Sequence, residues 1–442
     1  MSAPDAVIDL DRLAPEQPPA RLPPRTRRRL LVAGTLALAL LLPAAAAAPA
    51  VPLVRPVRTV WVDGGATYQL LGDTLYVTER GSARPRLTAY PLPGGPPRWS
   101  VPITTAAGPV QLAELGDVIL ISTPLPGPPV TPHVEAVDRR TGAVRWTSPL
   151  SLAGLDRTRN RVVLGQPVRI DLVEVSPPGD IVAVDAGTGT RVWTYHRPFG
   201  CLADLPDAVT DRRTPLAVLC ADGELTAVDL DTGRPRGGTR VGPTGIILGS
   251  PAPSVVAALT DRILVSFPVE AGGWTVASYD PGLRPQWTLH LRFNRPGVAP
   301  CGSRLCLWSA PDLLALNPGS GAVAWQLTVS GTASSLGGYV LVEQPSGRTS
   351  WLVDTGTGRT LLTLAGWTAR GSSTGPPVFY RSDALARRLW VAVLDPGRSA
   401  LRVLGSVPEP DGDTAGCTTA GRYLVCRTVK DAVQVWRIGV PG

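Results

Sequence analysis

Asp231-Thr232-Gly233 and Asp354-Thr355-Gly356 repeat one triplet, a carboxylate followed by a hydroxyl and a glycine. Two such carboxylates facing one another across a cleft could share a proton and activate water. His133, His196 and His290 are the only histidines, and each could act as a general base beside a nucleophilic serine. Six cysteines could bind zinc, given close pairs with a second ligand pair nearby. Spacing argues against all three chemistries. Both triplets sit at repeat-turn positions, in two different sequence repeats. The histidines share no motif spacing and no G-x-S-x-G elbow accompanies them. Only the stretch Cys301 to Cys306 approaches zinc spacing, with His290 as its sole nearby histidine. A phosphate-binding G-x-x-x-x-G-K loop is absent from the sequence. The sequence therefore predicts no catalytic, cofactor-binding or metal-binding residues.

The repeats explain the triplets. "IVAVDAGTGTRVWTY", Ile181 to Tyr195, has counterparts starting at Leu87, Val134, Leu225, Thr275, Leu313, Trp351 and Trp390. From the second copy onward, the Asp or Asn that ends the first apolar run falls at Asp138, Asp185, Asp229, Asp280, Asn317, Asp354 and Asp395, 37 to 51 residues apart. A period in this range marks a repeat architecture, and a catalytic loop is needed once, not eight times. Apolar β-branched residues alternate up to the Asp, as strands do. The Asp carboxylate can accept from backbone two residues on, as in an Asx-turn. The glycine supplies a positive φ. A second strand follows, with Trp99, Trp146, Trp193, Trp287 or Trp325 suited to packing between sheets. The residues assigned a structural turn role are Asp138, Gly142 and Trp146; Asp185, Gly189 and Trp193; Asp229 and Gly233; Asn317, Gly321 and Trp325; and Asp354 and Gly358.

A further apolar run precedes each hairpin, so every unit holds about four short strands, the content of a β-propeller blade. The pattern A-x-D-x-x-T-G-x-x-x-W, at Ala136 to Trp146 and Ala183 to Trp193, resembles the pyrroloquinoline-quinone-type (quinoprotein) propeller repeat. A third copy runs from Ala227 to Gly233 without its Trp. The resemblance implies an all-β propeller of four-stranded blades over residues 57–442. Eight blades are favoured, with seven or nine as alternatives, and the run Val57 to Val62 could complete the last blade and seal the ring. It also raises a quinone-dependent oxidoreductase, whose family holds the quinone over the axis beside a calcium ion and a vicinal disulfide. This sequence has no Cys-Cys dipeptide and no matching calcium ligands, so no cofactor is expected and none of that family's catalytic residues carries over.

Residues 1–29 form a polar, basic tail ending in "RTRRR", Arg25 to Arg29, and residues 30–54 carry no charge. Such a run can cross a bilayer core, and the arginine cluster before it predicts a cytoplasmic N-terminus. A single-pass signal anchor is favoured. A cleaved signal peptide, with an apolar stretch from Leu30 to Leu42 followed by "AAAAAPA", is the alternative. Either route puts the propeller outside the cytoplasm. The cysteines agree, pairing by proximity as Cys201 with Cys220, Cys301 with Cys306 and Cys417 with Cys426, since disulfides persist in oxidising compartments. The net charge of +8 comes almost wholly from arginine, Lys430 being the only lysine. No single segment concentrates it, which argues against nucleic acid as a partner. The predicted function is a non-catalytic scaffold at the cell envelope, held to the membrane by its N-terminal helix, with a protein or peptide partner on rim loops such as Ser122 to His133.

Overall fold

In the computed structural model the described residues are 53–79, 85–103, 110–125, 131–165, 178–206, 208–242, 255–269, 272–292, 296–309, 311–329, 332–344, 349–370, 377–395, 399–409, 417–428 and 431–439. The tail 1–29 and nearly all of the segment 30–54 lie outside them. No helix among the described residues is long and apolar enough to cross a membrane.

Apolar runs become strands, and among the described residues these form nine sheets, each with four antiparallel strands, arranged as a β-propeller. Blade 1 spans residues 67–102, blade 2 111–148, blade 3 151–197, blade 4 201–240, blade 5 255–291, blade 6 297–328, blade 7 332–363 and blade 8 368–408. Blade 9 takes three strands from residues 417–438 and its outermost strand, Val54–Trp61, from the other end of the chain. That strand pairs antiparallel with Ala432–Ile438, from Val54 opposite Ile438 to Trp61 opposite Ala432. The two ends of the segment 53–439 thus share one sheet, and no blade is left without a neighbour.

The expectation of eight blades is corrected to nine. The repeats with the weakest sequence signal, at Thr275 and Trp390, each build a full four-stranded sheet. Strand pairing sustains a blade whose turn has lost its consensus residues.

Nine hydrophobic clusters fill the nine seams, each drawing on two consecutive blades. The cluster of Val60, Leu75, Val77, Val425 and Val433 lies between blade 9 and blade 1 and closes the ring. Arg427 adds polar links there, donating to the carbonyls of Asp63 (3.2 Å), Gly64 (2.6 Å) and Ala66 (3.1 Å). All nine seams lie within residues 53–442, so this segment carries a complete core of its own. Burial also orders each blade. Second and third strands are almost wholly buried, such as Thr74–Glu79 and Asp312–Leu316, whereas fourth strands such as Val144–Ser148 are exposed.

Strand direction alternates, so the turns after the first and third strands of every blade lie on one face. Blade 3 departs from the pattern. Ala208–Val209, from the connection between the first two strands of blade 4, pairs in parallel with Ser151–Asp156 and gives blade 3 a fifth strand. Gly154 leaves room there for the Leu205 side chain, which would have to shift from a Cβ only 2.7 Å away.

Candidate functional site

The repeated turns are the most elaborate polar feature of the described residues. At Asp138, Oδ1 accepts from the backbone N–H groups of Arg140 (2.9 Å) and Thr141 (2.8 Å) and from the Thr141 hydroxyl (2.9 Å). The Gly142 N–H donates to the Asp138 carbonyl at 2.8 Å. Asp185, Asp229 and Asp354 make the same contacts to Thr188, Thr232 and Thr357. Asn317 performs the role with the N–H of Gly319. These carboxylates are therefore acceptors in Asx-turns. The Asp138 carboxyl titrates far below the usual range, chiefly because it hydrogen-bonds Arg145 and also because of the Thr141 donors.

Each turn is clamped by the blade before it. Indole N–H groups donate to the carbonyl of the residue following the Asp or Asn. Trp99 reaches Arg139 (2.9 Å), Trp146 reaches Ala186 (2.8 Å), and Trp193 reaches Leu230 (2.7 Å). Trp287 reaches Pro318 (2.8 Å) and Trp325 reaches Thr355 (2.9 Å). The same ring lies on the turn glycine. A Cβ added at Gly142, Gly189, Gly233, Gly321 or Gly358 would come within 2.5–2.9 Å of it. All five glycines have φ between 69° and 74°. Glycine is thus required twice, for the left-handed backbone and for the ring against it.

The seam between blades 4 and 5 reverses the arrangement. Gly237 stands where the other blades carry Trp, and Leu283 stands at the glycine position of the next turn with φ 64°. Leu283 is buried in that seam's core, 6% exposed, and supplies the apolar volume the missing ring would have given. The sequence shows both departures but not that they compensate, since the two residues are 46 positions apart.

Asp231, the first residue of one triplet, belongs to a cluster that spacing does not reveal. Arg159 is nearly buried and donates to Asp156 (2.9 Å), to Asp231 through Nε (2.5 Å) and to the Arg212 carbonyl (2.7 Å). Arg161 donates to the Leu230 carbonyl at 2.8 Å. The hydrogen bond from Arg159 holds the Asp231 carboxyl below its ordinary range. Asp354, the counterpart of Asp231 in the second triplet, sits in the turn of blade 7. The structure therefore does not bring the two carboxylates together. His196 pairs with Asp180 (3.0 Å), His290 with the Thr275 hydroxyl (2.9 Å) and His133 with Glu135 (3.1 Å), in blades 3, 5 and 2.

Cys201–Cys220, Cys301–Cys306 and Cys417–Cys426 are disulfides, each joining the first two strands of a blade. Among the described residues no cysteine is free. In the rim stretch Ser122 to His133, the ends belong to strands Val118–Leu125 and Thr131–Asp138, and residues 126–130 lie outside the described set.

The profile of a family described as outer membrane protein assembly factor BamB matches residues 129–245, blades 2 to 4, where the Asp/Gly/Trp clamp is most regular. Residues 129–245 thus carry PQQ-type propeller repeats. No curated protein sequence matches it. Among solved structures, BamB from Moraxella catarrhalis is similar at 17% identity over 88% of this chain and 99% of that one, with a TM-score of 0.43. The computationally designed Ika8 protein is 12% identical over 87% and 100%, with a TM-score of 0.46. A europium-containing methanol dehydrogenase is 12% identical over 78% and 85%, with a TM-score of 0.43.

The quinone that gives the PQQ-type repeat its name can be tested against the residues. The disulfides of this propeller join cysteines 5, 9 and 19 positions apart, and five of the six cysteines are buried in blade seams. Among the described residues no three His, Cys, Asp or Glu side chains gather as metal ligands. These residues do not fit a quinone resting on a vicinal disulfide with a calcium ion beside it.

Proposed function

We propose that this PQQ-type propeller is a non-catalytic scaffold outside the cytoplasm, binding another macromolecule at the cell envelope. The observation that carries the reading is the use of the repeat residues. Asp, Gly and Trp, the residues that recur most strongly, are used up in architecture, Asp in shaping each turn and Gly and Trp in joining that turn to the blade before it. A rigid ring of this kind leaves its loops free to vary and bind. Three disulfides support an oxidising compartment, and the uncharged segment Leu30 to Val54 supports a single-pass anchor with the propeller outside. The match to a family named for an assembly factor supports a protein partner.

In-cell crosslinking followed by mass spectrometry should recover the same partner protein in independent preparations, and recovery of no reproducible partner counts against the scaffold. The alternative, a quinone-dependent oxidoreductase, makes an opposite prediction. Purified residues 53–442 mixed with pyrroloquinoline quinone and calcium should bind no chromophore and oxidise no alcohol in a dye-linked assay. Activity there would reverse the assignment.

A further inference from the structure

The arginines look scattered in the sequence, yet the fold sorts them. On the face that carries the Asp-turns, carboxylates in blades 2 to 5 are largely engaged by neighbouring arginines. Asp117 and Asp138 share Arg145 (2.6 and 2.5 Å), Asp156 and Asp231 share Arg159, and Asp229 holds Arg236 (2.7 Å). Six further arginines on the same face are exposed and have no carboxylate partner among the described residues: Arg140, Arg157, Arg191, Arg212, Arg234 and Arg284. They occupy separate turns of four consecutive blades and outnumber Asp185 and Asp280, the carboxylates of these Asp-turns with no arginine partner among the described residues, so the excess positive charge is broad and not gathered into a pocket. The opposite face of blades 3 and 4 exposes Asp180, Asp222 and Glu224, with Arg240 opposite Glu224.

We infer that the Asp-turn face of blades 2 to 5 docks onto a surface of anionic lipid headgroups. Charge complementarity gives the sign of the partner, and the spread of the guanidinium groups over several turns matches a two-dimensional array of anions better than one acidic segment. The chain path agrees. The outermost strand of blade 9 starts on this same face, where Val54 pairs with Ile438 beside the Gly421 turn, and Val54 is the last residue of the uncharged run from Leu30. Guanidinium groups are weakly hydrated and match phosphate geometry, and basic side chains near an anionic bilayer each add attraction that fades within a Debye length. The inference rests on the proposed envelope location but not on the proposed protein partner.

The test is co-sedimentation of residues 53–442 with vesicles of phosphatidylcholine alone and of phosphatidylcholine with phosphatidylglycerol. Binding is expected only to the second, and it should be abolished by about 1 M salt. The variant R140Q/R191Q/R234Q/R284Q removes four exposed side chains and should keep the thermal midpoint while losing affinity by roughly fivefold for each arginine. The variant R240Q/R292Q, on the opposite face, should bind as the parent does. No difference between the two vesicle compositions would overturn the inference, as would equal losses in both variants, or salt-resistant binding. Failure here, with a crosslinked protein partner still recovered, would leave the scaffold reading standing without its lipid contact.

Discussion

Truncating Trp193 to alanine should destabilise the propeller by about 3–5 kcal/mol. The ring is 6% exposed and belongs to the core of the seam between blades 3 and 4, beside Val228 and Leu230. Its indole donates to the Leu230 carbonyl at 2.7 Å, but Arg161 donates to that carbonyl as well, at 2.8 Å. Removing the indole therefore leaves no orphaned acceptor, and the loss comes mainly from the cavity. Trp193→Phe, which retains most of the apolar volume, should cost much less, about 1–2 kcal/mol with the hydrogen bond gone. Urea midpoints of the two variants at unchanged slope would separate packing from hydrogen bonding. Equal midpoints for the alanine variant and the parent would mean that the ring does not hold the seam.

Deleting residues 53–61 should have a larger effect, abolishing the native state. The deletion removes the outermost strand of blade 9, with its pairings from Val54–Ile438 to Trp61–Ala432. Val54 and Val60 leave the two seams that flank blade 9, and Ala432–Ile438 becomes an open sheet edge, a template for aggregation. A chain beginning at Leu53 retains every seam and should give the parent near-ultraviolet circular dichroism. A chain beginning at Val62 should be recovered as aggregate or without fixed tertiary signal. A soluble, native spectrum from the shorter chain would contradict closure by this strand.

Much of this architecture was legible in the residues. Asp138, Asp185 and Asp229, each followed by Thr and Gly at fixed spacing, mark hairpins because an Asx-turn needs those groups in that order. The strand Val54–Trp61 was foreshadowed by the β-branched run from Val57, although not its first three residues. Blade number was not legible. In blade 5 the Thr-Gly pair is replaced by Gly282-Leu283, yet Trp274–Tyr279 and Pro285–Leu291 still pair along their length. Turn chemistry can change where strand pairing and seam packing hold the loop. Nor could spacing reveal that Arg159 meets Asp231, 72 residues on, because that contact depends on two blades standing side by side. The arginines of the Asp-turn face have no face in the sequence, since a strand's direction is known only once its sheet is known.

The measurement closest to the central claim, that the recurrent Gly and Trp residues bind each Asp-turn to the blade before it, is a double-mutant cycle between Trp146 in blade 2 and Gly189 in blade 3. A Cβ at Gly189 would lie 2.5 Å from the Trp146 ring. Gly189→Ala alone should cost about 2–5 kcal/mol, the sum of a left-handed alanine, about 1–2 kcal/mol, and overpacking, about 1–3 kcal/mol. In a Trp146→Ala background the ring is gone and only the backbone cost should remain, about 1–2 kcal/mol. A coupling of about 1–3 kcal/mol is the predicted result. The same cost for Gly189→Ala in both backgrounds would contradict it, because the two residues would then not meet across the seam.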